Sequence, residues 1–246
     1  MLQKLRLFYK KLRLRNLISN TDFDQPEFHL IKTLLQIRPT TAIDAGASFG
    51  VYSAFMSRYC NTVHAFEPVP LSFSILSYQL IRNQIKNVVA HQSALSDRTG
   101  QRTMHIPKMS GTINYYRAGF ETRSQEDTLA VEVTSTTLDK FSEKINDCTF
   151  IKIDVEGHEQ KVLNGGMNTI NSYKPSLLIE LNDPHSESSK AVIDKLHSAG
   201  YTCYFLNSDN VYEVWSDNSD SKSVNYIFLQ KNHLDSVRES APKLLG

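Results

Sequence analysis

Two carboxylates and two glycines set at the ends of consecutive apolar runs are the residues of this chain best suited to chemistry. Ala42 and Ile43 end the first run, which passes through Asp44 and Ala45 into Gly46-Ala47-Ser48-Phe49-Gly50. Glu67 closes the second run, Thr62 to Phe66, and Pro68 stops it. A glycine after a buried strand lets the backbone turn tightly and approach a ligand that a Cβ would hold off. An acidic residue about 20 positions later is placed to accept hydrogen bonds from a ribose diol. The pattern predicts a nucleoside site. The third glycine that seats a pyrophosphate on a helix N-terminus is missing, and Asp44 adds a charge that would repel one. A cationic ligand suits the site better, which points to the sulfonium and ammonium of S-adenosyl-L-methionine. The predicted contacts are Asp44, Gly46, Ala47, Ser48, Phe49, Gly50, Glu67 and Pro68, joined by Ser93 and Ala94 in a later loop and by Asp154.

These groups need an α/β frame. A helix over Pro26 to Ile37, opened by Asp24 as cap, precedes the strand that ends at Asp44. Helices at Tyr52 to Arg58 and Leu71 to Ile85 alternate with strands at Thr62 to Glu67 and Asn87 to Gln92. This βαβαβ order favours parallel strands with right-handed crossovers. Further core strands are expected at Thr149 to Asp154, Ser176 to Leu181, Tyr201 to Leu206 and Val224 to Leu229, with helices from Gly157 and over Ser186 to Ala199. Between Gly100 and Thr136 the texture changes to short strands around a polar stretch, Ser110 to Tyr116. That reads as a hairpin inserted at the ligand edge of the sheet.

Length bounds the answer at one domain, since 246 residues bury a full core. No run approaches the roughly 18 apolar residues of a membrane span, and the N-terminus lacks the apolar core of a secretion signal. Cys60, Cys148 and Cys203 have no metal or redox spacing and read as reduced thiols of a cytoplasmic protein. The net charge of +1 is uneven. Lys4, Arg6, Lys10, Lys11, Arg13 and Arg15 stand in the first fifteen positions without an acid, leaving 21 basic against 26 acidic residues, a balance of −5. With Leu2, Leu5, Phe8 and Leu12 near helical spacing, this segment reads as a basic amphipathic helix, either packed on the domain or frayed at the terminus, or making peripheral contact through residues 4–15 with an anionic membrane or nucleic acid. An acidic body without basic-aromatic interleaving argues against nucleic acid as a partner.

Three blocks in order give a specific resemblance: Ile43 to Gly50, Ala65-Phe66-Glu67-Pro68-Val69-Pro70, and Ile151-Lys152-Ile153-Asp154-Val155-Glu156-Gly157-His158-Glu159. Thr137-Leu138-Asp139 and Lys174-Pro175 before Leu178-Ile179-Glu180 add to it. The chain resembles the FkbM family of S-adenosylmethionine-dependent methyltransferases from about Ile43 to Glu180. The resemblance implies a class I methyltransferase fold, a Rossmann-like seven-stranded, mostly parallel sheet with an antiparallel last strand and helices on both faces. It also implies O-methylation of a hydroxyl on a sugar, glycan or secondary metabolite. Ala45-Gly46-Ala47-Ser48 departs from the family's commoner Val-Gly-Ala-Asn, with Ser48 keeping a small polar group. The expected organisation is an N-terminal helical segment over 1–38, the methyltransferase domain over 39–233 and a tail over 234–246.

Methyl transfer from a sulfonium is an in-line displacement, so alignment is most of the task. A hydroxyl acceptor also needs a base within hydrogen-bond reach. Asp154 ends the fourth strand, facing the crevice where such sheets bind ligands, and is assigned to the cofactor's cationic end or the acceptor. His158, just inside the next helix, is the candidate general base, with its alternative a surface histidine. Glu180 and His185 are further candidates for acceptor binding. Only Asp154 and Glu156 cluster as carboxylates in sequence, so no metal is expected. A nicotinamide-dependent oxidoreductase and a non-catalytic protein with a relict cofactor pocket are the competing readings.

Overall fold

The computed structural model describes Ile18, residues 23–109, 112–113, 118–120, 127–219, 221 and 223–244. The basic stretch 4–15 and the polar residues Ser110, Asn114, Tyr115 and Tyr116 lie outside the described residues.

Five strands rich in apolar residues form the parallel centre. They are β1 (Thr41–Ala45), β2 (Thr62–Phe66), β3 (Val88–His91), β8 (Phe150–Ile153) and β9 (Ser176–Glu180), paired in the order β3-β2-β1-β8-β9. The residues of β1, β8 and β9 are buried on both faces, as a parallel sheet between helices requires, while the edge strand β3 is more open, with Val89 exposed. Alternation sorts them. Ile43, Ile151, Leu177 and Ile179 pack on one face with α4 (Leu138–Ser142), α5 (Glu159–Asn164), α6 (Met167–Tyr173) and α7 (Glu187–Ser198). Ala42, Val63, Phe150 and Leu178 pack on the other with α1 (Pro26–Ile37), α2 (Val51–Met56) and α8 (Lys231–Ser240). α3 (Pro70–Arg82) covers the β2–β3 end through Leu76 and Leu80.

Beyond β9 the direction reverses. β12 (Asn225–Leu229) is antiparallel to both β9 and β10 (Thr202–Leu206), the expected antiparallel insertion. The sheet has eight strands rather than the seven expected. The addition is β11 (Tyr212–Val214), an edge strand antiparallel to β10. Its turn is built locally: Asn207 Oδ1 accepts the N–H groups of Asp209 and Val211, and Asn210 takes the left-handed conformation at φ +61°.

The inserted hairpin forms, with longer strands than the residue pattern marked. β5 (Gly100–Met109) pairs antiparallel with β7 (Thr128–Thr136) from Gly100 opposite Ser135 to Pro107 opposite Thr128. Two short strands complete this second sheet: β6 (Thr112–Ile113) on β5, and β4 (Ala94–Leu95) parallel to β7. The loop read at Ser93 and Ala94 therefore runs into a strand, made by pairing with β7 that local sequence does not encode. Asp24 does not cap α1. Gln25 holds that position, while Asp24 Oδ1 meets His29 Nε2 at 2.9 Å. All three cysteines are buried and unpaired. No described helix is long and apolar enough to cross a membrane.

Candidate active site

The turn after β1 is shaped by backbone conformation. Gly46 takes φ +81° and Gly50 φ +88°, and Ser48 between them is also left-handed at φ +48°. A Cβ on Gly46 would collide with the carbonyl oxygen of Asp154, so the absence of a side chain lets the turns after β1 and β8 meet. The Phe66 carbonyl fastens the turn by accepting the N–H groups of Gly46 and Ala47 at 3.0 and 2.9 Å.

Glu67 then locks two loops together. Its Oε2 accepts the Ser48 N–H at 2.9 Å and its Oε1 the Val69 N–H at 2.8 Å. Each carboxylate oxygen has a second lone pair, which leaves both free to accept from a diol. Burial pushes the Glu67 carboxyl up to about 7, against the lowering effect of the two N–H donors. Ser48 Oγ is buried with no hydrogen-bond partner among the described residues, an orphaned polar atom at the same turn.

One cavity gathers these groups. Gly46, Ser48, Glu67, Pro68 and Ala94 line it together with Asp154 and Glu180. The sheet alignment dictates this meeting, since Ala45 is level with Ile153, and Ile153 with Ile179, so the three turns that follow open on one edge. Asp154 and Glu180 share a hydrogen bond. Burial pushes Asp154 up, but the Lys152 ammonium at 2.8 Å and the bonds from Glu180 and Lys152 outweigh it and hold Asp154 below the ordinary value. Burial and the Asp154 charge push Glu180 up to about 8. Near neutral pH the pair carries one proton and one negative charge.

Glu156 joins them, and the three carboxylates offer oxygen atoms within 4.8 Å of one another. The sequence reading saw only Asp154 and Glu156 as neighbours; β9 supplies the third. Glu156 is left-handed at φ +56°, and its loop is held by Glu159 Oε1, which accepts the N–H groups of Val155 and Gly157.

Other predicted contacts lie behind this first layer. Asp44 is fully buried, bonded to Ser53 Oγ at 2.5 Å and 4.0 Å from Lys152 Nζ, and it does not line the cavity. Ala47 packs with Ala65 and Leu76, and Phe49 with Ile75. Gly50 opens α2, and the Ser93 N–H donates to the His91 carbonyl. His185 is exposed, its ring 6.0 Å from Trp215.

His158 stands apart from the carboxylates. It is 4% exposed, with Nε2 2.9 Å from Ser96 Oγ and 3.4 Å from Arg102 Nη1, and its ring packs against Phe120 at 4.5 Å. Burial, then Arg102, pushes its pKa down to about 4, so the ring is neutral. It is not among the cavity's lining residues. The geometry gives it a part in anchoring the inserted hairpin and gives no support to its reading as general base.

The residues missed in sequence are apolar. Met104, Ala118 and Phe120 of the insertion line the cavity together with Glu67 and Val69, and Arg102 stacks its guanidinium on Phe120 at 4.2 Å. Met104 and Ala118 belong to a small core with Val69, Ile106 and Val133. Alternation along β5 was the available signal, but it does not say which face meets the site.

Comparison with known proteins fits this geometry. The Methyltransferase FkbM domain model matches residues 44–203, which include every cavity residue named above. The chain is 26% identical over 141 residues to Methyltransferase 1 of Beauveria bassiana, covering 50% of this chain and 57% of that protein. It is 36% identical over 73 residues to the 31-O-demethyl-FK506 methyltransferase FkbM of Streptomyces tacrolimicus, covering 28% of each. A crystal structure of methyltransferase FkbM from Methylobacillus flagellatus aligns with a TM-score of 0.48 at 19% identity, over 83% of this chain and 50% of that one. The chain thus spans only about half, or less, of the length of these relatives. With the glycine turn, Glu67 and the Asp154 loop all inside the matched segment, the chain belongs to the FkbM methyltransferase family and carries its class I, Rossmann-like fold.

Proposed function

We propose that this chain is an S-adenosyl-L-methionine-dependent O-methyltransferase whose acceptor is a hydroxyl on a sugar, glycan or secondary metabolite. The observation that carries this reading is the meeting of Glu67, Ser48 and the singly ionised Asp154–Glu180 pair in one cavity. Glu67 would hold the ribose diol through its remaining lone pairs, and the orphaned Ser48 Oγ would gain a partner on the same ligand. The turn at Gly46 admits the ligand close to the backbone.

When bound, S-adenosylmethionine supplies an electrophilic methyl on a sulfonium. The chain's part is to align the acceptor, attract the cation and take the hydroxyl proton. The negative charge shared by Asp154 and Glu180 suits both of the latter tasks. Met104, Ala118 and Phe120 supply an apolar wall that excludes water from the acceptor side. Arg102, already paired with Asp97 and stacked on Phe120, helps hold that wall in place.

A cytoplasmic location, a small-molecule or glycan acceptor rather than nucleic acid, and peripheral membrane contact through residues 4–15 belong to the same proposal. So does the division into segments 1–38, 39–233 and 234–246. The test is transfer of a labelled methyl group from S-adenosylmethionine to extracted glycans and small metabolites by the purified chain. Label appearing on a hydroxyl supports the reading. Preference for NAD over S-adenosylmethionine overturns it, and cofactor binding without turnover on any acceptor pool leaves a binding protein.

A further inference from the structure

Beside the cavity lies a polar row, buried at Lys152 and half-buried at Tyr52, Glu27 and Asn225, that the proposed reaction does not employ. Lys152 is 3% exposed, its ammonium 2.8 Å from Asp154 Oδ2, 4.0 Å from Asp44 Oδ1 and 4.5 Å from the centre of the Tyr52 ring. The Tyr52 hydroxyl donates to Glu27 Oε1, and Glu27 Oε2 accepts from Asn225 Nδ2 at 2.7 Å. Asn225 lies directly opposite Glu180 in the β12–β9 pairing. Glu27 is in the first turn of α1 and Asn225 opens β12, so both stand outside residues 44–203. Elements beyond the family segment thus reach the surroundings of both carboxylates of the pair.

Burying an ammonium is costly unless charge and hydrogen bonds compensate it. Here the gain falls on the neighbour. Two carboxylates sharing a site resist ionising together, and a cation beside one of them decides which loses its proton first. Lysine is a flexible point charge, so something must hold it against Asp154 rather than Asp44. The face of Tyr52 does so by cation–π attraction, and the Glu27 tether removes the ring's freedom. We infer that Lys152 is the positioning residue of this site, fixing Asp154 as the ionised member of the carboxylate pair, and that Tyr52 and Glu27 of the first helix keep Lys152 in place. This rests on the reading that the cavity takes S-adenosylmethionine.

The groups facing Asp154 come from every element around it: Lys152 on its own strand, Asp44 on β1, Tyr52 on α2, Glu67 after β2, Glu156 in its loop, Glu159 at the start of α5 and Glu180 on β9. A test must separate Asp154 from the others. S-adenosylmethionine and S-adenosylhomocysteine share the adenosine, ammonium and carboxylate and differ in the sulfonium charge. The ratio of their affinities therefore reads the charge on the pair, while the Glu67 contribution cancels.

Calorimetric titration of the full chain with both compounds should give a flat ratio between about pH 5 and 7, because Lys152 keeps Asp154 ionised below the ordinary aspartate value of about 3.9. In Lys152→Met the carboxyl should rise into that window, so that the ratio falls as pH drops through it. S-adenosylhomocysteine affinity near pH 8 should stay within about threefold, a factor worth less than 1 kcal/mol. A lysine with only a packing role would weaken both compounds alike and leave the ratio flat, which overturns the inference. Glu27→Ala should give a smaller fall in the same window, and Glu27→Gln, whose amide oxygen still accepts the Tyr52 hydroxyl, should restore the flat ratio. Identical flat ratios in both remove the first helix from the device. If Lys152→Met loses its cooperative melt, Tyr52→Leu carries the test, since it takes the ring from the ammonium while Tyr52→Phe keeps it. Failure of the wild-type chain to bind either compound sinks the cofactor reading instead, and binding with an unmoved ratio in every variant sinks this inference alone.

Discussion

Glu67 Oε2 accepts the Ser48 backbone N–H at 2.9 Å, so the carboxylate proposed to hold the ribose also fixes the glycine turn that would cradle the same ligand. The two functions are separable by substitution. Glu67→Gln retains one acceptor oxygen and the side-chain shape, whereas Glu67→Ala removes both loop ties. S-adenosylhomocysteine binding should weaken by about 1.5–3 kcal/mol in Glu67→Gln, the range for a hydrogen bond to a charged group. Glu67→Ala should lose at least as much and also melt at lower temperature. Calorimetry and thermal denaturation check the two parts, and unchanged affinity in the folded Gln variant would remove Glu67 from the site.

The same residue sets a pH dependence. With its carboxyl at about 7 in the free chain, Glu67 is part protonated at neutral pH. Ribose hydroxyls donate to the ionised form and lower that value in the complex. Linkage then requires affinity for S-adenosylhomocysteine to fall as pH drops below about 7 and to level off above about 8. Glu67→Gln should flatten the curve over this range.

Much of this site was legible before folding because its markers are local. Glycines at a strand end, a carboxylate closing the next strand and the Asp154-Val155-Glu156-Gly157 block each carry their reason in sequence. The pairing of Asp154 with Glu180 was only half legible. Each ends a predicted strand, but their contact depends on β8 and β9 being adjacent and in register. In sequence His158 reads as lying just inside the helix, while it is the residue before the helix and turns to Ser96 and Phe120 through contacts that the local sequence does not mark. Asp44 is a different case. Its position at the strand end is right, but pleat alternation sends it under the sheet toward Ser53 and Lys152. The Met104, Ala118 and Phe120 wall depends on how the insertion folds against the site and carries no local signature, whereas β11 follows a local turn at Asn207 back onto β10.

Gly46 tests the approach of the two turns. A Cβ there meets the Asp154 carbonyl and must also accept φ +81°. Gly46→Ala should therefore destabilise the chain by at least about 2–3 kcal/mol, combining strain at a left-handed position with a backbone clash. Chemical denaturation measures this directly. Stability within about 0.5 kcal/mol of wild type, the range of a neutral surface change, would show that the turns have room to separate.

The insertion should affect acceptor and cofactor differently. Phe120 packs on His158 and Arg102 and lines the cavity, so Phe120→Ala opens the apolar wall without touching Glu67 or Ser48. Turnover should fall by about tenfold or more through lost alignment, with S-adenosylhomocysteine affinity held within about threefold. Equal loss of both quantities would mean that the wall contacts the cofactor rather than the acceptor.

Proton removal is proposed for the Asp154–Glu180 pair, and His158 provides the contrast. Its ring is neutral, pushed down to about 4 by burial, and engaged with Ser96 away from the carboxylates. His158→Ala should therefore keep turnover within about tenfold of wild type, where a positioned base is worth roughly 10²–10⁴. Its loss should appear in stability instead. Because the folded value lies below the ordinary one near 6.5, the unfolded chain binds more protons between those values, and His158 makes the fold weaken as pH falls from about 6.5 toward 4. His158→Ala should make that decline shallower. Turnover in wild type should rise with pH through about 8, where Glu180 gives up the pair's remaining proton, and then level off. Glu180→Gln should abolish that rise, and Asp154→Asn should cut turnover by roughly 10²-fold or more. A pH–rate curve that stays intact in Glu180→Gln but disappears in His158→Ala would return the proton-accepting role to the histidine.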